Sequence, residues 1–225
     1  RTFGSAGSRR ALTWSCWTKR DLLTLSNRQV IFGGYSASNN TDWLEIGWDN
    51  SADHVYWTSN GVTSDGTAQR RDPASWYHFF STYDGSNLRI YVNNRLDLDY
   101  SVTGNMGINV AGAHYIGQSP KNAEDRHLDG RLSQCYFIDG QVLNPSDFAF
   151  TDPLTNTWKP KKYTGTFTGT NTFYLPFDGS APIGQDKSGN GNDFTPVNFG
   201  GSVALDNPQV SGARPILNTT QGGTQ

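Results

Sequence analysis

The sequence predicts an all-β protein, an antiparallel two-sheet jelly-roll sandwich. Three observations carry that expectation. Short runs rich in aromatic and β-branched residues recur along the chain, separated by Gly, Asn, Ser and Asp clusters, the pattern of a sandwich or barrel. Residues 76–100, WYHFFSTYDGSNLRIYVNNRLDLDY, read as three consecutive strands joined by two tight turns. No long amphipathic pattern of helical period is present.

Taken in order, residues 1–10 are Gly- and Ser-rich with Arg1, Arg9 and Arg10, and read as an entering loop available to a partner. Strands are expected over residues 11–19, 29–34, 42–48 and 54–58, with turn clusters at 36–41 and 59–66. Asp72 before Pro73 and Asn144 before Pro145 each place a capping side chain ahead of a proline at the first helical position, so one helical turn is expected at each. Within 76–100, Trp76, His78 and Phe80 alternate with Tyr77, Phe79 and Ser81, so both faces of the first strand carry rings. A strand apolar on both faces belongs in the middle of a sheet, covered on both sides. Asp84, Gly85, Ser86 and Asn87 form a turn. Leu88, Ile90 and Val92 then alternate with Arg89 and Tyr91, and Leu96, Leu98 and Tyr100 with Asp97 and Asp99, which would face water. Asn93 and Asn94 suit a two-residue hairpin turn, yet that register sets Ile90 against Asp97. A three-residue loop through Arg95 sets Ile90 against Leu98 and keeps the apolar face whole, which is the expectation adopted.

At 225 residues the chain is long enough for one well-cored domain. Hydrophobic content is 35%, but 7 Trp, 10 Tyr and 12 Phe supply large rings that fill a core with few residues. A formal net charge of −2 gives no bulk field for nucleic acid or an anionic membrane, and neither partner is expected. No apolar run approaches the about 20 residues that span a bilayer. No signal peptide is legible, and a start at Arg1 rather than Met reads as a position after the translated start. Cys16 and Cys135 each lie in a strand-like run. They read as buried free thiols acting as small hydrophobes. A disulfide is conceivable if their strands are neighbours, and a metal site would need further ligands.

Several of these runs resemble the laminin-G/concanavalin A-like jelly rolls. W-Y-H, a D-G turn and I-Y-V-N-N match the family's middle strands, with Asn94 where Gly is usual. TWSCWTK at 13–19 resembles its opening strand, HYIG at 114–117 an edge, and LDGRLSQCYFIDG at 128–140 its closing strand. F-Y-L-P-F-D followed by D-x-S-G-N-G-N-D resembles the family's first strand and loop, but lies after the closing strand, so the strand order looks circularly permuted. The whole tail, from F-I-D-G-Q-V-L-N-P-S-D-F through W-K-P-K-x-Y to S-G-N-G-N-D-F, resembles jelly-roll proteins of marine tailed bacteriophages. That resemblance implies a non-enzymatic structural protein of a virion, a tail-fibre or adhesin domain or a head-decoration protein. It would contact other virion proteins and assemble as a homo-oligomer. The alternative is a lectin module contacting host-surface carbohydrate.

The family includes glycosidases that carry Glu-x-Asp-x-Glu on one strand. The nearest run is Glu45-Ile46-Gly47-Trp48-Asp49, with Gly47 where the middle Asp belongs. Retaining hydrolysis needs an acid and a nucleophile about 5–5.5 Å apart, and nothing here tunes such a pair. The four histidines lie in separate elements, and His78 reads as structural. Tyr35, Trp43, Trp48, Tyr56 and Trp57 could form an aromatic platform for a sugar, with Asp42, Glu45 and Asn50 nearby, or they could be core. The carbohydrate candidates are Trp48, Tyr56, Glu45 and Asn50. Arg70, Arg71 and the run 159–162 read as solvated loop charges rather than a nucleic-acid site.

Asp186, Ser188 and Asn190 stand at spacings 1, 3 and 5 with Gly191 at 6, like the first half of an EF-hand calcium loop. Val197 occupies the place of the bidentate Glu, so Asp193 or carbonyls would complete a Ca²⁺ shell. Otherwise the stretch is a turn held by its own side chains. Residues 1–199 read as the jelly roll and 200–225 as an extended Gly/Ser/Thr-rich arm or linker. Val203, Leu205, Val210, Ile216 and Leu217 would pin that arm to a neighbouring subunit or to its own sandwich.

Overall fold

The computed structural model describes residues 1–23, 26–36, 42–121, 126–179 and 181–197. The expected arm at 200–225, and the end of the expected jelly-roll domain at 199, lie outside the described residues. In chain order the strands are β1 (Thr2–Phe3), β2 (Leu12–Arg20), β3 (Gln29–Tyr35), β4 (Trp43–Trp48), β5 (Val55–Ser59), β6 (Val62–Asp65) and β7 (Tyr77–Tyr83). They continue with β8 (Asn87–Val92), β9 (Arg95–Ser101), β10 (Gly112–Ile116), β11 (Gly130–Asp139), β12 (Ala149–Thr151), β13 (Trp158–Pro160) and β14 (Phe173–Leu175). One six-stranded sheet runs β1-β10-β3-β4-β5-β6 and a second runs β14-β11-β2-β7-β8-β9, while β12 and β13 form a separate hairpin. The pairings between these strands are antiparallel, as expected.

The inward-facing rings of the two sheets meet between them. Trp14 of β2 stacks on Phe32 of β3 at 4.3 Å. Trp48 of β4 meets Phe79 of β7 edge-on at 5.7 Å, and Trp57 of β5 meets Tyr100 of β9 at 5.3 Å. Burying each such side chain contributes about 1.5–3 kcal/mol, which is how a chain of modest hydrophobic content holds two sheets together. Cys16 and Cys135 are buried free thiols in this core, on the neighbouring strands β2 and β11. Burial, with a hydrogen bond to Cys16, pushes the Cys135 thiol up.

The permuted strand is where the resemblance places it. β14 pairs with β11, setting Phe173 against Phe137 and Leu175 against Cys135. Phe173 packs 5.9 Å from Phe32 and 6.2 Å from Trp14, so a late segment completes the central core.

The strand β7 is interior and covered on both faces, as its two-faced aromatic pattern requires. Its inner face meets the first sheet. Over its outer face lies a layer built from the chain beyond β11. Phe80, Tyr136, Ile138, Phe148, Tyr163 and Tyr174 form a second core there, with Tyr136 and Tyr174 stacked at 4.1 Å. His78 sits beside this layer and is fully buried. Trp158 donates from Nε1 to His78 Nδ1 (3.0 Å), so Nε2 carries the proton and donates to Ser15 Oγ (2.8 Å). Burial lowers the His78 pKa to about 3. The structural reading of this histidine stands.

Five local expectations need correction. Asn93 and Asn94 have φ 49° and 67° and make the two-residue turn after all. The apolar register is kept by a bulge, because Ile90 still faces Leu98 while Tyr91 faces Leu96, leaving Asp97 unpaired. Asp97 therefore does not face water. Its side chain accepts the Thr67 and Ala68 N–H groups at 3.1 Å and pairs with Arg70 at 3.3 Å. The cluster at 59–66 contains β6, the turn itself being only Asn60 and Gly61, both with positive φ. Residues 1–10 include the short edge strand β1. Of the two expected helical turns, Pro145–Asp147 forms with Asn144 as its cap, whereas Asp72 caps a plain turn by accepting the Ala74 N–H at 2.8 Å.

Candidate functional site

The outward face of the first sheet gathers the polar and aromatic groups that could meet a ligand. Period two decides which residues are on it. On β4, Leu44, Ile46 and Trp48 point into the core, so Trp43, Glu45 and Gly47 point out. On β5, Val55 and Trp57 point in and Tyr56 points out. Pairing places Tyr35 opposite Trp43 and Gly47 opposite Tyr56 on that face.

The expected platform therefore divides. Trp48 and Trp57 are 0% and 1% exposed and belong to the core, so neither offers a ring to a sugar. Tyr56 is on the outward face but is also buried, under the Arg28 guanidinium 4.6 Å from its ring. Tyr35 and Trp43 are half-buried and remain on the face. Asn50 lies in the turn after β4, where its Nδ2 donates to the Ser26 carbonyl at 2.8 Å. Trp48, Tyr56, Glu45 and Asn50 thus do not form one site, and only Glu45 and Tyr56 share a surface.

Glu45 is fully buried, because Ser119 and Arg126, which lie between β10 and β11 in the chain, close over it. Gln118 and His127 bridge the base of that loop. A Cβ on Gly33 would meet Pro120 at 2.8 Å, so glycine there lets the loop lie against the sheet. Ser119 Oγ donates to Glu45 Oε1, and Arg126 donates to Oε2 at 2.7 Å. Lys121 sits 4.4 Å from the Trp43 ring. The face thus carries Arg28, Lys121 and Arg126 between its aromatic groups. These three cations were not among the expected site residues. Arg126 is 81 positions from Glu45, and no local pattern joins them.

The glycosidase pattern is not rebuilt by folding. Gly47 holds the place of the middle carboxylate, and a Cβ there would collide with the Gln29 carbonyl oxygen. Asp49 is engaged in its own turn, accepting from Ser51 Oγ (2.7 Å) and the His54 N–H (2.8 Å). Burial pushes its pKa up, but these hydrogen bonds prevail and hold it below the ordinary carboxylate value. A carboxyl kept ionised is poorly suited to act as a general acid.

The stretch Asp186, Ser188, Asn190 and Asp193 is a hydrogen-bonded turn. Asp186 accepts the N–H groups of Tyr174, Ser188 and Asn192 at 2.8–2.9 Å and the Ser188 hydroxyl at 2.9 Å. Asp193 accepts the Asp186 N–H at 2.8 Å, and Asn190 Nδ2 donates to the Thr172 carbonyl at 3.1 Å. Both Asp186 oxygens are spent on protein donors, so these residues do not fit a resident Ca²⁺ in this arrangement. Among the described residues no three His, Cys, Asp or Glu side chains converge as metal ligands would. In the basic runs Arg70 pairs with Asp97, Arg71 with Asp53 at 2.9 Å, and Lys159, which is buried rather than solvated, with Asp152.

Comparison with known proteins fits this architecture. No curated protein matches the sequence. Among solved structures, a putative carbohydrate-binding protein from Bacteroides ovatus is similar at TM-score 0.53 and 16% identity, over 85% of this chain and 57% of that one. A heptameric SAP-like pentraxin from Limulus polyphemus is similar at TM-score 0.50 and 16% identity, over 64% of this chain and 70% of its own. At such identities the likeness is one of fold. A family model is more direct: residues 3–148 match it, and the chain belongs to the concanavalin A-like lectin/glucanase superfamily.

Proposed function

We propose that the protein is a non-catalytic glycan-binding module whose contact surface is the outward face of the first sheet. The observation that carries this reading is the cross-strand pair Tyr35 and Trp43, half-buried on that face beside Lys121, Arg28 and Arg126. Ring faces stack on the apolar sides of sugars, and flanking charged groups bond their hydroxyls. The state of Glu45, closed between Ser119 and Arg126, and the absence of room at Gly47 favour binding over hydrolysis. The likeness to a putative carbohydrate-binding protein is in keeping with it. A glycan array tests it: binding to a subset of glycans, lost in Trp43→Ala and without release of reducing sugar, is expected. No binding to any glycan overturns it.

A second reading concerns where the module works. The motifs resembling tailed-phage jelly-roll proteins fall in β11, in β14 and in the 186–193 turn, all of which are integral to the sandwich. The sequence resemblance itself, not this placement, is what suggests a virion protein, a homo-oligomeric fibre, adhesin or decoration subunit that would present the glycan face to a host. Labelling intact particles with an antibody for electron microscopy tests it, and particles devoid of label overturn it.

A further inference from the structure

The glycan reading leaves the class of sugar open, and the area around Tyr56 narrows it. Tyr56 stands opposite Gly47, so no side chain from β4 crowds its ring. Its hydroxyl is buried and has no hydrogen-bond partner among the described residues. Leaving such a group unsatisfied costs about 1–3 kcal/mol, so it asks for an explanation. Two arginines share its face. Arg28 lies over the ring at 4.6 Å and makes no ion pair or hydrogen bond among the described residues. Arg126 gives one N–H to Glu45, and its side chain is 26% exposed. A guanidinium has five donors in a planar fork, so among the described residues most of Arg126 is uncommitted. The opposing charges are Glu45, already closed by Arg126 and Ser119, and Asp65, paired with Tyr56 across β5 and β6 and exposed to solvent.

We infer that Arg28 and Arg126 form an anion subsite over Tyr56, which selects glycans bearing an acidic group, a uronic or other sugar carboxylate or a sulfate ester. The proposal rests on the glycan-binding reading. Two arginine forks match a carboxylate or sulfate in geometry as well as charge. Among the described residues Arg28 is held only by a ring face, so it can turn toward an arriving anion, and that turn uncovers the Tyr56 hydroxyl as a further donor. Lys121 on Trp43, along the same face, extends the cationic track for a polymer.

The test is an array of matched oligosaccharides, neutral, carboxylated and sulfated, followed by titration at two salt concentrations. The acidic members are expected to bind at least about tenfold tighter than the neutral ones, with an advantage that shrinks as salt rises. Arg28→Gln should remove about tenfold of that affinity and so narrow the advantage of the acidic members over the neutral ones. Tyr56→Phe deletes a buried hydroxyl with no partner among the described residues, so it should hold or raise the melting temperature while weakening acidic glycans. A carboxylate-over-sulfate preference, or the reverse, supports the subsite and names the group. Equal binding of neutral and acidic glycans, or wild-type affinity in both variants, overturns the subsite and leaves the module standing. Binding to nothing on the array overturns the module itself.

Discussion

His78 and His114 are both buried, and burial lowers each pKa to about 3. His114 is fixed in one tautomer, accepting the Asn109 N–H on Nε2 and donating from Nδ1 to the Gly112 carbonyl, both at 3.1 Å. In the unfolded chain these side chains titrate near 6.5. Between those values the unfolded state binds protons that the native state does not, so stability rises with pH there. It is complete above about 6.5 and is lost progressively as pH falls toward 3. Urea unfolding at pH 7.5 and pH 5 should show a lower midpoint at pH 5, with no change in slope. His78→Gln should be less stable at pH 7.5 because Trp158 and Ser15 lose their partner, and should show a shallower pH dependence; an undiminished dependence in that variant would assign the effect elsewhere. The structural role of His78 was legible in its place between Trp76 and Phe80. The fate of Glu45 was not, because its partners Ser119 and Arg126 come from a loop whose only relation to it is folded proximity.

The β8–β9 hairpin shows why register is harder to read than strand identity. Both competing signals were in the sequence, the Asn-Asn turn and the apolar alternation, and both are obeyed because the bulge at Asp97 absorbs the extra residue. Its energetic reason is remote: Asp97 caps the backbone at Thr67 and Ala68, a contact no local pattern predicts. The same kind of local rule divides the rings between the platform and core readings. Trp43 and Trp48 differ by an odd number of positions, so period two already sends them to opposite faces. The turn from Asp186 to Asp193 imitates a calcium loop because Asp, Ser and Asn serve a cation and a backbone equally well. Here the carboxylate faces N–H groups. Millimolar calcium followed by chelator should therefore leave the melting temperature unchanged, whereas a rise would show the loop opening to a cation. Asp186→Ala strands three N–H donors and should cost about 2–3 kcal/mol in urea unfolding.

At the scale of the molecule, the boundary of the family match is not the boundary of the fold. The match ends at residue 148. The chain beyond it supplies Phe173 and Leu175 to the central core, and Tyr163 and Tyr174 to the layer over the second sheet. It also supplies Trp158, which fixes His78. Those four buried side chains alone represent about 6–12 kcal/mol at 1.5–3 kcal/mol each, comparable to the whole stability of about 5–15 kcal/mol of a typical domain. Cutting after residue 148 would also strip β14 from β11 and turn a central strand into an apolar edge, a template for association with other chains. A fragment of residues 1–148 should accordingly collect in the insoluble fraction or unfold without cooperativity. A fragment of residues 1–197, which keeps every contact described, should melt as one transition. Cooperative unfolding of the 1–148 fragment at the melting temperature of the longer one would show that the later strands decorate the sandwich rather than complete it.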